Sequence, residues 1–160
     1  MTWIKGVAGV TELESLIGNH SAILERYRAF YLGLWRDELV PRRVLELCRL
    51  RIAFIHNAAA EVSLKDPEAH VSEDEIEALR LGHFGQFTNE EQYALQLAEQ
   101  MPHAHHQITD EEVQHVSAAF GNNGCVGLLT ALAFFDVTCR LKLVWDISPT
   151  ENIIDFESLQ

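Results

Sequence analysis

The residues best equipped for chemistry gather in one stretch of this sequence. Glu46, His56, Asn57, Glu61 and Lys65 lie on or just after a helix predicted by the spacing of Val44, Leu47, Cys48, Leu50, Phe54 and Ile55. Glu46 stands between Leu45 and Leu47 among few other polar positions, which points to a buried carboxylate. Once buried, it needs Arg49, Arg51 or a group on another helix as partner, or else desolvation keeps it protonated. The first case is the anchor of a structural ion pair and the second is a general acid or base. Glu61 and Lys65 are four apart with the carboxylate first, the spacing of a solvated helical ion pair worth only a few tenths of a kcal/mol. On one unbroken helix Glu46 and Glu61 would be about 22 Å apart along the axis. They share a site only through a turn near Asn57 or across a subunit interface.

The other reactive side chains offer less. Cys48, Cys125 and Cys139 are scattered and form no Cys-x-x-Cys pair, and Cys48 reads as a small buried apolar residue. His103, His105 and His106 cluster after Pro102, but the segment is a polar loop without a nearby cysteine, so it reads as solvated. No metal and no cofactor are expected.

These residues must be positioned by helices. Thr11/Glu14, Ser72/Glu75, Thr88/Glu91 and Thr109/Glu112 each place a hydroxyl three residues before a carboxylate at the head of an apolar periodic segment, the capping-box spacing. No stretch alternates as a strand would. The pattern predicts an all-α domain of seven helices: about 11–17, ended by a left-handed Gly18; 21–35; 41–62, opened by Pro41 and broken near Asn57; 73–81; 89–101; 110–120; and 126–145. The last is apolar on most sides and is expected to be the central helix, reached through a Gly121–Gly124 turn.

The chain of 160 residues fits one domain, with a core over about 19–146 and a C-terminal tail at 150–160. Twelve basic residues against twenty-four acidic ones give a formal charge of −12, which repels nucleic-acid phosphates and anionic lipid. Neither nucleic acid nor membrane is expected as a partner. The apolar run Cys125–Phe135 is about half of a bilayer-spanning length, and the N-terminus lacks a secretory core. A cytoplasmic protein is expected.

The segments Leu45-Glu-Leu-Cys-Arg-Leu-Arg-Ile-Ala53, Ser72-Glu-Asp-Glu-Ile-Glu-Ala-Leu79, Phe87-Thr-Asn-Glu-Glu-Gln-Tyr-Ala-Leu-Gln-Leu-Ala98 and Phe134-Phe-Asp-Val-Thr-Cys-Arg140 together resemble the carboxymuconolactone decarboxylase family, which includes the alkyl hydroperoxidase D-like (AhpD-like) proteins. The resemblance runs in order from about Asn19 to Trp145. It implies an AhpD-like all-α domain assembling as a homo-oligomer, a trimer or hexamer and otherwise a dimer. In the peroxidase branch a Cys-x-x-Cys pair reduces hydroperoxide with the help of a histidine and an upstream glutamate. Here the glutamate falls on Glu46, the cysteines on Ala58 and Glu61, and the histidines on Ala60 and Lys65. Alanine has no nucleophile, and a carboxylate cannot form a mixed disulfide.

The resemblance therefore implies a member without redox cysteines, binding a small organic ligand or performing non-redox lyase-type chemistry. In that role Glu46 or Glu61 is the proton carrier, while Arg51, His56 and Lys65 bind substrate, an assignment resting on residue type. The alternatives are a non-enzymatic oligomeric interaction module, with Glu46 fully paired to arginine in a dry site, and a hydroperoxide-reducing thiol antioxidant enzyme relying on Cys48.

Overall fold

A computed structural model of the chain describes residues 4–9 and 11–150. Among them are seven α-helices and no β-strand, an all-α fold. The helices are α1 (Glu12–Ile17), α2 (Ser21–Arg36), α3 (Arg42–Ile55), α4 (Ala59–Val62), α5 (Glu73–Leu81), α6 (Asn89–Gln100) and α7 (Asp110–Val144), with 3-10 turns at Pro67–Ala69 and His105–Gln107. The expected tail lies outside the described residues beyond Thr150.

The capping residues do as their spacing predicts. Ser72, Thr88 and Thr109 each accept from the backbone N–H three residues on, and Glu75, Glu91 and Glu112 reach back to the N–H of the cap. Thr11 also caps α1, but the Glu14 carboxylate is buried and accepts a two-pronged bond from Arg28 on α2.

Three sequence-based expectations are corrected, and a fourth is met. Gly18 is right-handed at φ −62°; a side chain there would meet Val7 and the Glu14 carbonyl, so close approach rather than handedness requires glycine. The break expected near Asn57 is present: α3 ends at Ile55, Asn57 turns the chain at φ +53°, and the short α4 follows. The sixth and seventh helices form one run, broken only at Gly121, whose φ of +72° no ordinary side chain adopts comfortably. The centre of the fold is α3, which packs on α5, α6 and α7.

The burial pattern explains that position. Every residue from Val44 to Leu50 is buried, and so are Ile52 and Ala53, so α3 has no solvent face over two turns. Leu47, Ile52, Leu79, Leu95, Leu97, Leu128, Leu132 and Phe135 meet there fully enclosed. Each contributes roughly 1.5–3 kcal/mol by leaving water. By contrast, α7 contains an 18-residue window long and apolar enough to cross a membrane, of which 44% is buried in the fold.

Candidate functional site: a buried charge network beside a cleft

Two charged residues of α3 point into this apolar centre, Glu46 and Arg49, separated by three positions. Arg49 Nε donates to Glu46 Oε2 at 2.7 Å and Nη2 donates to Glu46 Oε1 at 2.7 Å, a two-pronged pair. The turn at Asn57 brings α4 back against α3, with the Ala58 N–H bonded to the Ala53 carbonyl at 2.9 Å. Glu61 therefore arrives beside Arg49, whose Nη1 donates to Glu61 Oε1 at 2.9 Å and to the Glu61 carbonyl at 2.7 Å. Nη2 also donates to the Leu64 carbonyl at 2.8 Å. The five N–H groups of a guanidinium thus have five acceptors.

The fourth member comes from α7. Lys142 Nζ donates to Glu61 Oε2. Glu46, Arg49, Glu61 and Lys142 are all at least nine-tenths buried, and two cations balance two anions. Burial pushes the Glu61 carboxyl upward, but the charges of Lys142 and Arg49 outweigh it and hold that carboxyl below its ordinary value. Burial likewise opposes charge on Arg49, and the Glu46 carboxylate more than restores it. Tyr31 lies close above; burial, with Glu61 as the next contributor, raises its hydroxyl well past the ordinary value. Tyr31 stacks on Tyr27, and both rings pack near Phe134.

A cleft of about 790 Å³ opens on one side of this network. Glu46 forms part of its wall, with Leu50, Val62, Val71 and Ile76 as apolar surface and Ser63, Lys65 and His70 as polar groups. Asp66 stiffens the rim: its carboxylate accepts from Arg42 at 2.5 and 2.8 Å, and its backbone N–H faces Glu46 Oε1 at 3.4 Å. The volume falls within the usual range for small-ligand sites.

The structure brings together only some of the expected site residues. Glu46 and Glu61 meet through Arg49, by the turn near Asn57 that the sequence allows. Lys65 lines the cleft, but α4 stops at Val62, so no helical Glu61–Lys65 pair forms; Lys65 bonds to Glu73 at 3.1 Å on the surface. Arg51 is elsewhere, donating to Glu99 and to the Leu79 carbonyl at 2.8 Å, with its guanidinium 5.8 Å from the Phe84 ring centre. It holds α3, α5 and α6 together and has no part in the network. His56 faces α7, where Nε2 lies 2.6 Å from Asp136 Oδ1, and it does not line the cleft.

Two of the three thiols are sealed. Cys48 and Cys139 are fully buried, and burial raises both; Cys139 is pushed up to about 12. Cys48 is not a thiolate near neutral pH. His103, His105 and His106 are exposed, and among the described residues no group of three or more metal-ligating side chains converges.

Sequence reasoning missed Lys142, although a signal for it exists. Leu128, Leu132, Phe135 and Cys139 form the buried stripe of α7 at alternating spacings of four and three, and position 142 is its next step. A lysine in that register needs an anion, which Glu61 provides. Compared with family models, curated proteins and solved structures, the chain matches none.

Proposed function

We propose that this protein is a non-redox small-molecule-binding module, its ligand held in the cleft between α3, the 63–71 segment and α5. The reading keeps the AhpD-like scaffold expected from the sequence, with the reactive centre replaced by ion pairs. The observation that carries it is the cleft opening on a network whose charges are already matched. Glu61 is held ionised by two cations and has no proton to give at neutral pH, which disfavours lyase chemistry through it. With Cys48 sealed and protonated, nothing supplies a peroxidatic thiolate. Lys65 is the cation in the cleft that a ligand can recruit, because its surface pair with Glu73 contributes little.

A thermal-shift screen of small carboxylates and carbonyl compounds tests this reading on the wild type and on Val71→Trp, which fills the cleft. A compound that raises the melting temperature of the wild type and leaves the variant unmoved supports it. A screen in which nothing shifts the wild type rejects it, as does hydroperoxide turnover with a dithiol reductant.

A second reading, an oligomeric interaction module, draws on two observations. Glu46 is paired two-pronged to arginine, and the end of α7 exposes Val137, Leu143 and Val144. It predicts a homo-oligomer in sedimentation equilibrium that Val144→Glu disperses.

A further inference from the structure

A second concavity, remote from the charge network, lies between the C-terminal half of α2 and the Asn123–Thr130 turns of α7. It encloses about 620 Å³. Its walls are Phe30, Leu34, Leu39 and Val126, and three of these are unusually exposed for large apolar side chains: Phe30 at 42%, Leu39 at 45% and Val126 at 66%. Glycines open the floor. A side chain at Gly127 would press on Leu39 at 3.2 Å, and one at Gly33 would stand 3.7 Å from an Asp37 carboxylate oxygen.

Among the described residues Asp37 is the only charged one lining this groove, and no cation among them lies within ion-pair distance of it. It is also the C-cap of α2, its N–H bonded to the Gly33 carbonyl. The last carbonyls of a helix carry the negative end of its dipole, so a carboxylate there is electrostatically disfavoured. Two independent sources of negative potential thus meet at one end of an apolar trough. Arg36, the cation next in sequence, is not among the lining residues.

We propose that the groove binds a small organic cation, an amine whose apolar body covers Phe30, Leu34 and Val126 while its ammonium pairs with Asp37 and the C-terminal carbonyls of α2. The ammonium adds positive charge on the groove side of this helix end, where the last-turn cation Arg36 does not reach the lining, and the body removes exposed apolar surface from water. Discrimination then follows charge at constant shape. An isosteric alcohol loses the ionic contact, and an isosteric carboxylate is repelled.

The test uses the full chain and three probes: 2-phenylethylamine, 2-phenylethanol and 3-phenylpropionate. Binding is followed by amide chemical shifts in two-dimensional NMR on the wild type, Asp37→Asn and Val71→Trp. The expected result is saturable binding of the amine, with shifts at α2 and at 123–130, about tenfold tighter than the alcohol. The carboxylate should not bind. Asp37→Asn keeps the side-chain shape and should bring the amine to the affinity of the alcohol, with its melting curve checking that it folds. Val71→Trp fills only the other cleft and should leave amine binding unchanged, so failure here and failure of the proposed function are distinguishable. Equal affinities for amine and alcohol in the wild type overturn the proposal. So does a preference that survives Asp37→Asn, a shift pattern confined to the α3–α5 cleft, or sedimentation showing the groove filled by a second copy and released by Phe30→Ser.

Discussion

Lys142 near the end of α7 donates a hydrogen bond to the carboxylate of Glu61 on α4, joining residues 81 positions apart inside an otherwise apolar core. The contact closes a chain of alternating charge, Lys142 to Glu61 to Arg49 to Glu46, that ties α3, α4 and α7 together. Taking four ionised groups out of water is expensive, and their mutual attraction is helped to offset that because all five guanidinium N–H groups of Arg49 have acceptors. The same completeness leaves the carboxylates with little freedom to act on a substrate.

Removing one member should therefore be far more damaging than removing a pair. Arg49→Leu strands Glu46 and leaves Glu61 with one cation, and is expected to lose about 3–5 kcal/mol in urea unfolding. The double substitution Glu46→Leu/Arg49→Leu removes the stranded anion and should recover part of that loss. A double variant as damaged as the single one would mean that the pairing is not what stabilises this region.

The pH dependence has a definite sign. Glu61 is held below its ordinary value of 4.5 by Lys142 and Arg49, against the opposing effect of burial. Its stabilisation is thus fully present above the unfolded carboxylate value of about 4.3 and is lost as the pH falls through the lower folded value. Urea midpoints of the wild type should decline from about pH 5 downward. Glu61→Gln, starting from a lower stability, should show a shallower decline because it no longer has this proton to take up.

Much of the fold is legible because helix ends announce themselves locally. Ser72, Thr88 and Thr109 mark their helices by spacing alone, and Gly82 ends α5 at φ +71° as a left-handed cap. The proximity of Glu46 and Glu61 is half legible: Asn57 marks the turn, but only three-dimensional packing shows that the turn brings α4 onto Arg49. Arg51 and Lys65 have the same charge, yet Glu99 on α6 captures one inside the helix packing and Glu73 pairs with the other on the surface. Partner choice among like charges depends on helix packing, which periodicity does not encode. The centre of the fold is misjudged for a related reason, since α7 is the more apolar helix while α3 is enclosed by three neighbours.

Burial should make two thiols slow. Cys48 and Cys139 are fully enclosed and shifted upward, whereas Cys125 keeps slight exposure and a smaller rise. A disulfide reagent that reports released thiolate at pH 8 should modify Cys125 first and reach the others only on unfolding. Rapid modification of Cys48 in the native protein would reopen a thiol-based activity.

The α5 terminus offers a backbone test. Gly82→Ala forces a side chain into the left-handed region and places its Cβ about 3.1 Å from Arg51 Nη2, which Glu99 holds. A loss of about 1 kcal/mol or more is expected in thermal or urea unfolding. Gly82→Asn should lose less, because asparagine tolerates that conformation better.

Whether ion pairs occupy the heart of this site and leave no proton carrier at Glu61 is decided by following the Glu61 side-chain carboxyl carbon through a pH titration by 13C NMR. The ionised chemical shift should persist from neutral pH down past 4.5, with protonation only below that value as the fold begins to fail. A carboxyl that takes up its proton at or above about pH 6 would contradict it and restore Glu61 as a general acid.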